Sequence, residues 1–349
     1  MDLYNSTPQL STVLPPMDSS GDIVFAVCLG LLSIFGAVGN CLTILAVIID
    51  RKLRSHTANY FIVNLAVADL MVFTAIEPFL SFSTAMSRWP FSDTLCVTLA
   101  ALVIKHLVVS DFIMASIAIN RYVSIVRHRI YHKLFTPGRT LLVCLACWIP
   151  GIITIIVQVV PPYYAQFIPY YGTCVIVSLH SPVTTRAVSI LSGIVILFSI
   201  LLSSLCYALI YWTIRQSKRR VRSNGPTGSG SANTPTDPTS DSAGSAATTQ
   251  PVVNRNNCAS KADVALSLNL FIVFAVFCIC WTPLAVVIIL ENAIVGGITL
   301  QSERPLPYWV WPAAYRLVLF NSTFNIFIYA WKNRNFRSAY FRILRCRKC

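Results

Sequence analysis

Asp69, Glu77, Lys105, His106, Asp111 and Arg316 interrupt stretches that are otherwise almost wholly apolar. Carboxyl, imidazole, amine and guanidinium groups in such surroundings hold ions, relay protons or pair with one another. A charge among hydrocarbon side chains is too unfavourable to persist without a task. Asp69 has a second reading, as a neutral hydrogen-bonded acid used for packing, and Lys105 can snorkel its amine outward. Glu77 and Arg316 have opposite charge and can pair. Asp111 has no evident partner in the sequence. Arg121 closes another apolar run in Asn120-Arg121-Tyr122, and Arg127, Arg129 and Lys133 follow it. Cys144 and Cys147 have the spacing of a metal pair, but they lie in a hydrophobic run without further ligands, which favours plain packing.

The elements that position these groups follow from composition. The chain has 349 residues, 55% hydrophobic and 11% charged, with a mean hydropathy of +0.66. Soluble domains carry roughly 25% charged residues, so this chain has too little charge to cover an aqueous surface. The net charge of +14 does not point to nucleic acid, which needs a basic face on a soluble body. Here the cations sit between apolar runs. Seven runs, at about 22–49, 59–85, 95–126, 139–160, 186–212, 264–290 and 308–331, reach the roughly 20 residues that cross a bilayer as a helix. The expected fold is all-α: a seven-transmembrane helix bundle with a short amphipathic cytoplasmic helix after the seventh span.

Cations set the orientation. Arg51, Lys52 and Arg54 follow the first run, and Arg127, Arg129, Lys133 and Arg139 lie past the third. A further group between 215 and 261 separates the fifth from the sixth, and another follows the seventh. Basic loops stay in the cytoplasm, so the amino terminus faces outward in a multi-pass plasma-membrane protein. Residues 1–21 carry no Lys or Arg and form the outer tail, with no cleavable signal and with Asn5-Ser6-Thr7 as a glycosylation acceptor. Spans one to five with their loops occupy 22–222. The Ser/Thr/Gly/Pro-rich stretch 223–257 cannot bury enough surface to fold and is expected to be a disordered third cytoplasmic loop. Spans six and seven occupy 258–331, and the amphipathic helix and tail 332–349. Cys96 and Cys174 lie in outer segments, where oxidising conditions favour a disulfide. Cys346 and Cys349, in the basic tail, suit palmitoylation.

Gly39-Asn40 in the first run, "NLAVADL" (Asn64–Leu70), Cys96, the Asn120-Arg121-Tyr122 end, Trp148, Tyr207, "FCICWTP" (Phe277–Pro283) and "NSTFNIFIY" (Asn321–Tyr329) fall in fixed order and spacing. Together they resemble the rhodopsin-like (class A) G-protein-coupled receptors over nearly the whole membrane portion. "AINRY", Tyr131 with "HKL" and the run Pro307–Ile343 are similar to melatonin receptors. So is Ile326, which stands where most of the family has proline after Asn325. Asn-Arg-Tyr endings also occur in moody-like orphan receptors.

The resemblance implies roles residue by residue. Asn120, Arg121, Tyr122, Tyr207, Trp281, Pro283, Asn325 and Tyr329 would form the switch that couples to a G protein. Asn120 stands where the family usually has an acid, which removes one restraint on Arg121. Asp263, twenty residues before Pro283, would pair with Arg121 in the inactive state, or would be a solvated charge at a helix start. Asp69, Ser110, Asn321 and Asn325 match a sodium site, the only cofactor expected. Val103, Leu107, Gln158, Ser178, Val195, Trp281, Leu284 and Tyr315 would line the ligand pocket, with Glu77 and Arg316 beside it. The tyrosines of the loop 163–171 would form a lid.

The melatonin-binding positions fit less well. By spacing, Gln158 stands for the fourth-span amide, Ser178 for the second-loop Gln and Val195 for the fifth-span His, while Ser199 replaces a proline. Val103 stands where bioamine receptors carry Asp, so an amine loses its counter-ion. Leu319 stands where an opsin carries its retinal Lys. The expected ligand is an extracellular small or lipid-like molecule. The implied activity is that of a receptor, not an enzyme, that activates heterotrimeric G proteins, with the inhibitory class favoured. Arrestin and a receptor kinase are expected partners. The alternatives are a ligand-independent, constitutive or adhesion-type receptor, and a transporter or channel. The last requires a polar pathway or repeated halves, and no inverted repeat is visible.

Overall fold

The computed structural model describes residues 19–86, 88–159, 163–168, 173–178, 182–223, 261–294, 307 and 310–345. Asn5, Cys346, Cys349 and almost all of the 223–257 loop lie outside the described residues, as do the side chains of Gln158, Ser178, Asp263 and Leu319. The first span is α1 (Ser19–Ile49), followed by the short α2 (Arg51–Ser55). The second is split into α3 (Ala58–Ala75) and α4 (Glu77–Ala85), because Pro78 in the first turn of α4 has no N–H to continue the ladder. The third is α5 (Asp93–Val126), with α6 (His128–Leu134) after it. The fourth is α7 (Pro137–Ala146) and α8 (Ile149–Val159).

A hairpin then intervenes, β1 (Tyr163–Ile168) against β2 (Thr173–Ser178), antiparallel with Phe167 opposite Cys174. It adds two strands to an expectation that was purely helical. The fifth span is α9 (Pro182–Ser223), the sixth α10 (Lys261–Ile294), the seventh α11 (Val310–Lys332), and α12 (Arg334–Leu344) follows.

The bundle closes on itself. α1 meets the second span, the second meets α5, α5 meets α9, α9 meets α10, α10 meets α11, and α11 returns to α1. The fourth span packs outside this ring against α3 and α5. The surface is apolar and the centre polar, the reverse of a soluble protein. Leu142, Phe198, Leu201 and Ile279 are each about two-thirds exposed, while Asn40, Asp69, Asp111, Asn321 and Asn325 are buried. Among the described residues, six helices are long and apolar enough to cross a membrane. α11 is not one of them. Its Arg316, Asn321, Ser322, Thr323 and Asn325 lower its apolar total, yet all five turn inward.

Two close approaches set the first span. A Cβ at Gly36 would lie 2.4 Å from the Phe73 ring, and one at Gly39 would lie 2.0 Å from Ile326. At the far end α12 is docked by chemistry. Asp50 accepts from the backbone of Lys52 and Leu53 and pairs with Arg342, and Thr43 and Tyr340 share a hydrogen bond of 2.8 Å. Burial pushes the Tyr340 phenol up to about 12.

Candidate functional site

At the end where α5 begins, Cys96 and Cys174 are joined by a disulfide, as expected. It ties β2 to α5 in a small apolar cluster with Ala100, Ala165 and Phe167. Trp89 stacks on Phe167 at 5.8 Å. Just below, Val103 packs with Leu80, Leu99 and Tyr315, whereas Leu107, Trp281 and Leu284 belong to the main core. The residues assigned to the ligand thus occupy two adjoining layers. Val195 is half-buried.

Glu77 and Arg316 are both buried and lie within electrostatic reach of each other and of Tyr315. The Arg316 guanidinium sits 5.4 Å from the Tyr315 ring centre. Neither Glu77 oxygen accepts a hydrogen bond, so the two charges attract without closing the direct contact that the sequence suggested.

In the middle of the bundle, Asp69 Oδ1 accepts from Ser322 Oγ at 2.7 Å and its Oδ2 from Asn325 Nδ2 at 3.2 Å. Sequence reasoning named Asn321 and Asn325 but missed Ser322. The signal was available, since residues three apart on a helix share a face and Ser322 and Asn325 have that spacing. Ser110 Oγ lies 3.4 Å from His106 Nδ1 instead of on Asp69. Asn321 Oδ1 and Asn325 Oδ1 are buried without partners. An acid and two uncommitted amide oxygens are of the chemical type that a hard cation takes, which is oxygen.

Asp111 contrasts with this. It is buried on the face of α5 toward α9, and Ser199 is near enough to affect it, but neither carboxyl oxygen closes a hydrogen bond. Lys105 does not snorkel into the open. Its side chain is buried, with Nζ 5.2 Å from the centre of Trp148 and 3.7 Å from Met71 Sδ. Trp148 in turn donates from Nε1 to Asn64 Oδ1 at 2.9 Å, and Asn64 Nδ2 donates to the Cys144 carbonyl at 3.0 Å. The second and fourth spans are joined there. Cys147 Sγ donates to the Val143 carbonyl, and among the described residues no His, Cys, Asp and Glu side chains gather as a metal site.

At the opposite end Arg121 is 1% exposed. Its Nε donates to Asn120 Oδ1 at 3.1 Å, and Nη2 reaches the same oxygen. The neutral amide therefore still serves as an acceptor where an acid was expected. Asn120 and Tyr207 are buried and Tyr122 is half-buried. Tyr207 is within electrostatic reach of Arg121, and Tyr329 within reach of both Tyr207 and Asp69. Neither tyrosine hydroxyl has a hydrogen-bond partner among the described residues. Tyr207 stacks on Phe274 at 5.0 Å, and Phe277 on Trp281 at 5.0 Å. Pro283 lies inside an otherwise continuous α10. A line of polar groups thus runs from Asp69 through Tyr329 and Tyr207 to Arg121, beside aromatic side chains of the sixth span.

The family model described as 7 transmembrane receptor (rhodopsin family) matches residues 39–329. The melatonin receptor type 1B of Homo sapiens is 27% identical over 311 residues, which cover 88% of this chain and 74% of that protein. The melatonin receptor type 1C of Gallus gallus is 29% identical over 315 residues, 88% and 78% of the two chains. The 5-hydroxytryptamine receptor 4 of Homo sapiens is 28% identical over 349 aligned positions, 93% and 80%.

Proposed function

The chain belongs to the rhodopsin family of seven-transmembrane receptors, and from that premise we propose that a small uncharged ligand, taken up at the disulfide end, drives nucleotide exchange on a G protein docked at the Arg121 end. At the coarser level, its family and relatives make it a multi-pass membrane receptor that signals through G proteins, not an enzyme. We place the disulfide end outside the cell. Arg51, Lys52, Arg54, Arg127, Arg129, Lys133, Arg334 and Arg337 all lie beyond the other ends of the spans, and basic loops stay inside.

The observation that carries this reading is the buried Arg121, clasped by Asn120 at the foot of the third span and close to Tyr207. A partner reaches this guanidinium only if the sixth span parts from the third. Pro283 lacks an N–H, which weakens α10 one turn from the Phe277–Trp281 stack and makes that turn the natural hinge. A ligand seated against Val103, Leu107, Trp281 and Tyr315 has different contacts before and after the hinge moves. That difference is all a ligand needs to shift a two-state population.

The names of the relatives point to melatonin and to 5-hydroxytryptamine. The second is an amine that is cationic at neutral pH. Val103 offers no counter-ion, and Asp111 lies eight residues further along α5, about 12 Å deeper at helical rise. An uncharged amphipathic ligand therefore suits the site better. Asp69, Asn321 and Asn325, with Ser110 nearby, would hold a sodium ion, whose charge would neutralise Asp69 and favour the unstimulated arrangement. The inhibitory class of G protein, arrestin and a receptor kinase as partners, the glycan at Asn5 and palmitoyl groups at Cys346 and Cys349 belong to the same reading, as does an Arg121–Asp263 restraint.

A ligand-independent mode has one observation in its favour. Asn120 is a neutral acceptor, and hydrogen bonds between uncharged acceptors and cations are weaker than those to carboxylates, so the closed state is held less firmly. Purified receptor in nanodiscs, assayed for nucleotide exchange on a heterotrimeric G protein, tests both. Exchange that disappears in Arg121→Ala at equal expression supports the receptor mechanism, and its ligand dependence separates the two modes. Ion flux in liposomes without exchange would overturn both.

A further inference from the structure

α6 is seven residues long and buries none of them. Isolated helices shorter than about 12 residues are marginal in water, so α6 depends on what holds it. Tyr131 ties it to the foot of the second span, where its hydroxyl lies 3.4 Å from Thr57 Oγ1. The other feature of α6 is a pair of histidines. His128 and His132 stand four apart, the spacing that sets two side chains one above the other on a single helix face. Their ring centres are 5.6 Å apart, and the rings are turned 80° to each other.

That separation has a chemical meaning. Two imidazoles on one tetrahedral zinc ion, each bound through nitrogen at about 2.0–2.1 Å, place their ring centres roughly 5 Å apart. A small turn of either side chain covers the difference. His128 is also prepared electronically. Its Nδ1 lies 3.1 Å from the Ser124 carbonyl oxygen. A carbonyl can only accept, so Nδ1 carries the proton and the neutral ring keeps its lone pair on Nε2. Metal-binding histidines are ordinarily held in this way, with the second ring nitrogen donating to a carbonyl or carboxylate. His128 is half-buried and His132 exposed, so an ion reaches both from solution.

We propose that His128 and His132 form a two-nitrogen half-site for a zinc ion at the Arg121 end of the receptor. No third His, Cys, Asp or Glu joins them among the described residues, so water fills the remaining positions. Imidazole suits zinc, whereas magnesium and calcium take oxygen ligands. Arg127, Arg129 and Lys133 flank the pair and repel a dication. Binding is therefore weaker than at a closed site with four protein ligands, although salt screens charges this exposed. The bound ion links one turn of α6 to the next, which stabilises a helix too short to stand alone. His128 follows Arg121 by seven positions, so the ion fixes the segment that adjoins the buried guanidinium. This inference needs only α6, not the ligand or the G protein.

The test uses the full chain, purified without a polyhistidine tag and placed in phosphatidylcholine nanodiscs. Titration with zinc chloride in a calorimeter, with empty nanodiscs subtracted, should show uptake that magnesium and calcium do not displace. His132→Gln should weaken it about a hundredfold, because the second imidazole no longer binds as an intramolecular partner. Combining His132→Gln with Lys133→His restores the number of histidines but turns one of them roughly 140° around the helix, and the affinity should stay lost. Both changes are at exposed positions, and circular dichroism and gel filtration check that the variants fold. Amide hydrogen exchange across 128–134 in the unaltered chain should slow when zinc is added. No uptake, uptake unchanged in His132→Gln, or affinity recovered by the respaced pair would overturn the proposal. Exchange across α6 that is indifferent to zinc would overturn it as well.

Discussion

Asp69 and Asp111 are acids of the same type, each 1% exposed, in the same bundle. Asp69 is met on both oxygens by α11, through Ser322 and Asn325. Asp111 faces α9, with Ser199 near but no hydrogen bond closed on either oxygen. The first is the centre of a network that joins the second span to the seventh. The second is an acid set into a packed apolar interface. Burial alone therefore does not say what a membrane acid does, and its donors must be counted as well. A satisfied acid stabilises the arrangement around it, whereas an unsatisfied one strains its surroundings and waits for a proton, an ion or a rearrangement.

The strongest way to break this contrast is Asp69→Ala. It strands the Ser322 hydroxyl and the Asn325 amide, and leaving buried donors unpaired costs about 1–3 kcal/mol each. The melting temperature of the solubilised receptor should fall sharply. Asp111→Leu should do the reverse. Replacing an unsatisfied buried acid by an apolar side chain of similar size is expected to stabilise by about 1–2 kcal/mol, so the melting temperature should rise. If both variants lower it, Asp111 is bonded after all and the contrast is wrong. A cycle with Ser199→Ala checks the same point, since a coupling energy above about 0.5 kcal/mol would mark a direct partnership.

Sodium sharpens the contrast. Exchanging sodium for N-methylglucamine should change unstimulated nucleotide exchange in the parent receptor and in Asp111→Leu. Asp69→Asn should be indifferent to it. A smaller effect is expected at the third span's foot. Asn120→Asp gives Arg121 a charged acceptor, and charge-assisted bonds are roughly twice as strong as neutral ones. Unstimulated exchange should then fall about fivefold, the equivalent of roughly 1 kcal/mol.

The spans were legible in the sequence because crossing a bilayer imposes a length and a polarity on every one of them. The seventh was legible too, although α11 is outside the group of strongly apolar helices, since its polar residues cluster on one face. The disulfide was legible from topology. What escaped is what depends on angle. Ser322 with Asp69, and Asn64 with Trp148, are contacts fixed by the rotation of one helix against another, which no run of hydropathy encodes. The β1–β2 hairpin escaped for a related reason. Its tyrosines and prolines read as a lid, and its pairing depends on a register that places Phe167 opposite Cys174, next to a bond to another element.

Asn64 offers the finest test of the contrast, because it lies on the same helix as Asp69 and is fully partnered without any charge. It accepts from Trp148 and donates to Cys144. Trp148→Phe keeps an aromatic ring in place and removes only the indole donor. Asn64 Oδ1 then loses its partner at a site that is only half-buried, so the expected loss is about 1 kcal/mol, well below that of Asp69→Ala. Lys105 is the internal control, since its Nζ lies 5.2 Å from the same indole and the cation–π attraction weakens with the smaller ring. Combining Trp148→Phe with Lys105→Met separates the two contributions. If the single variant destabilises as much as Asp69→Ala, then satisfaction alone sets the value of a buried polar link, and charge contributes little to it.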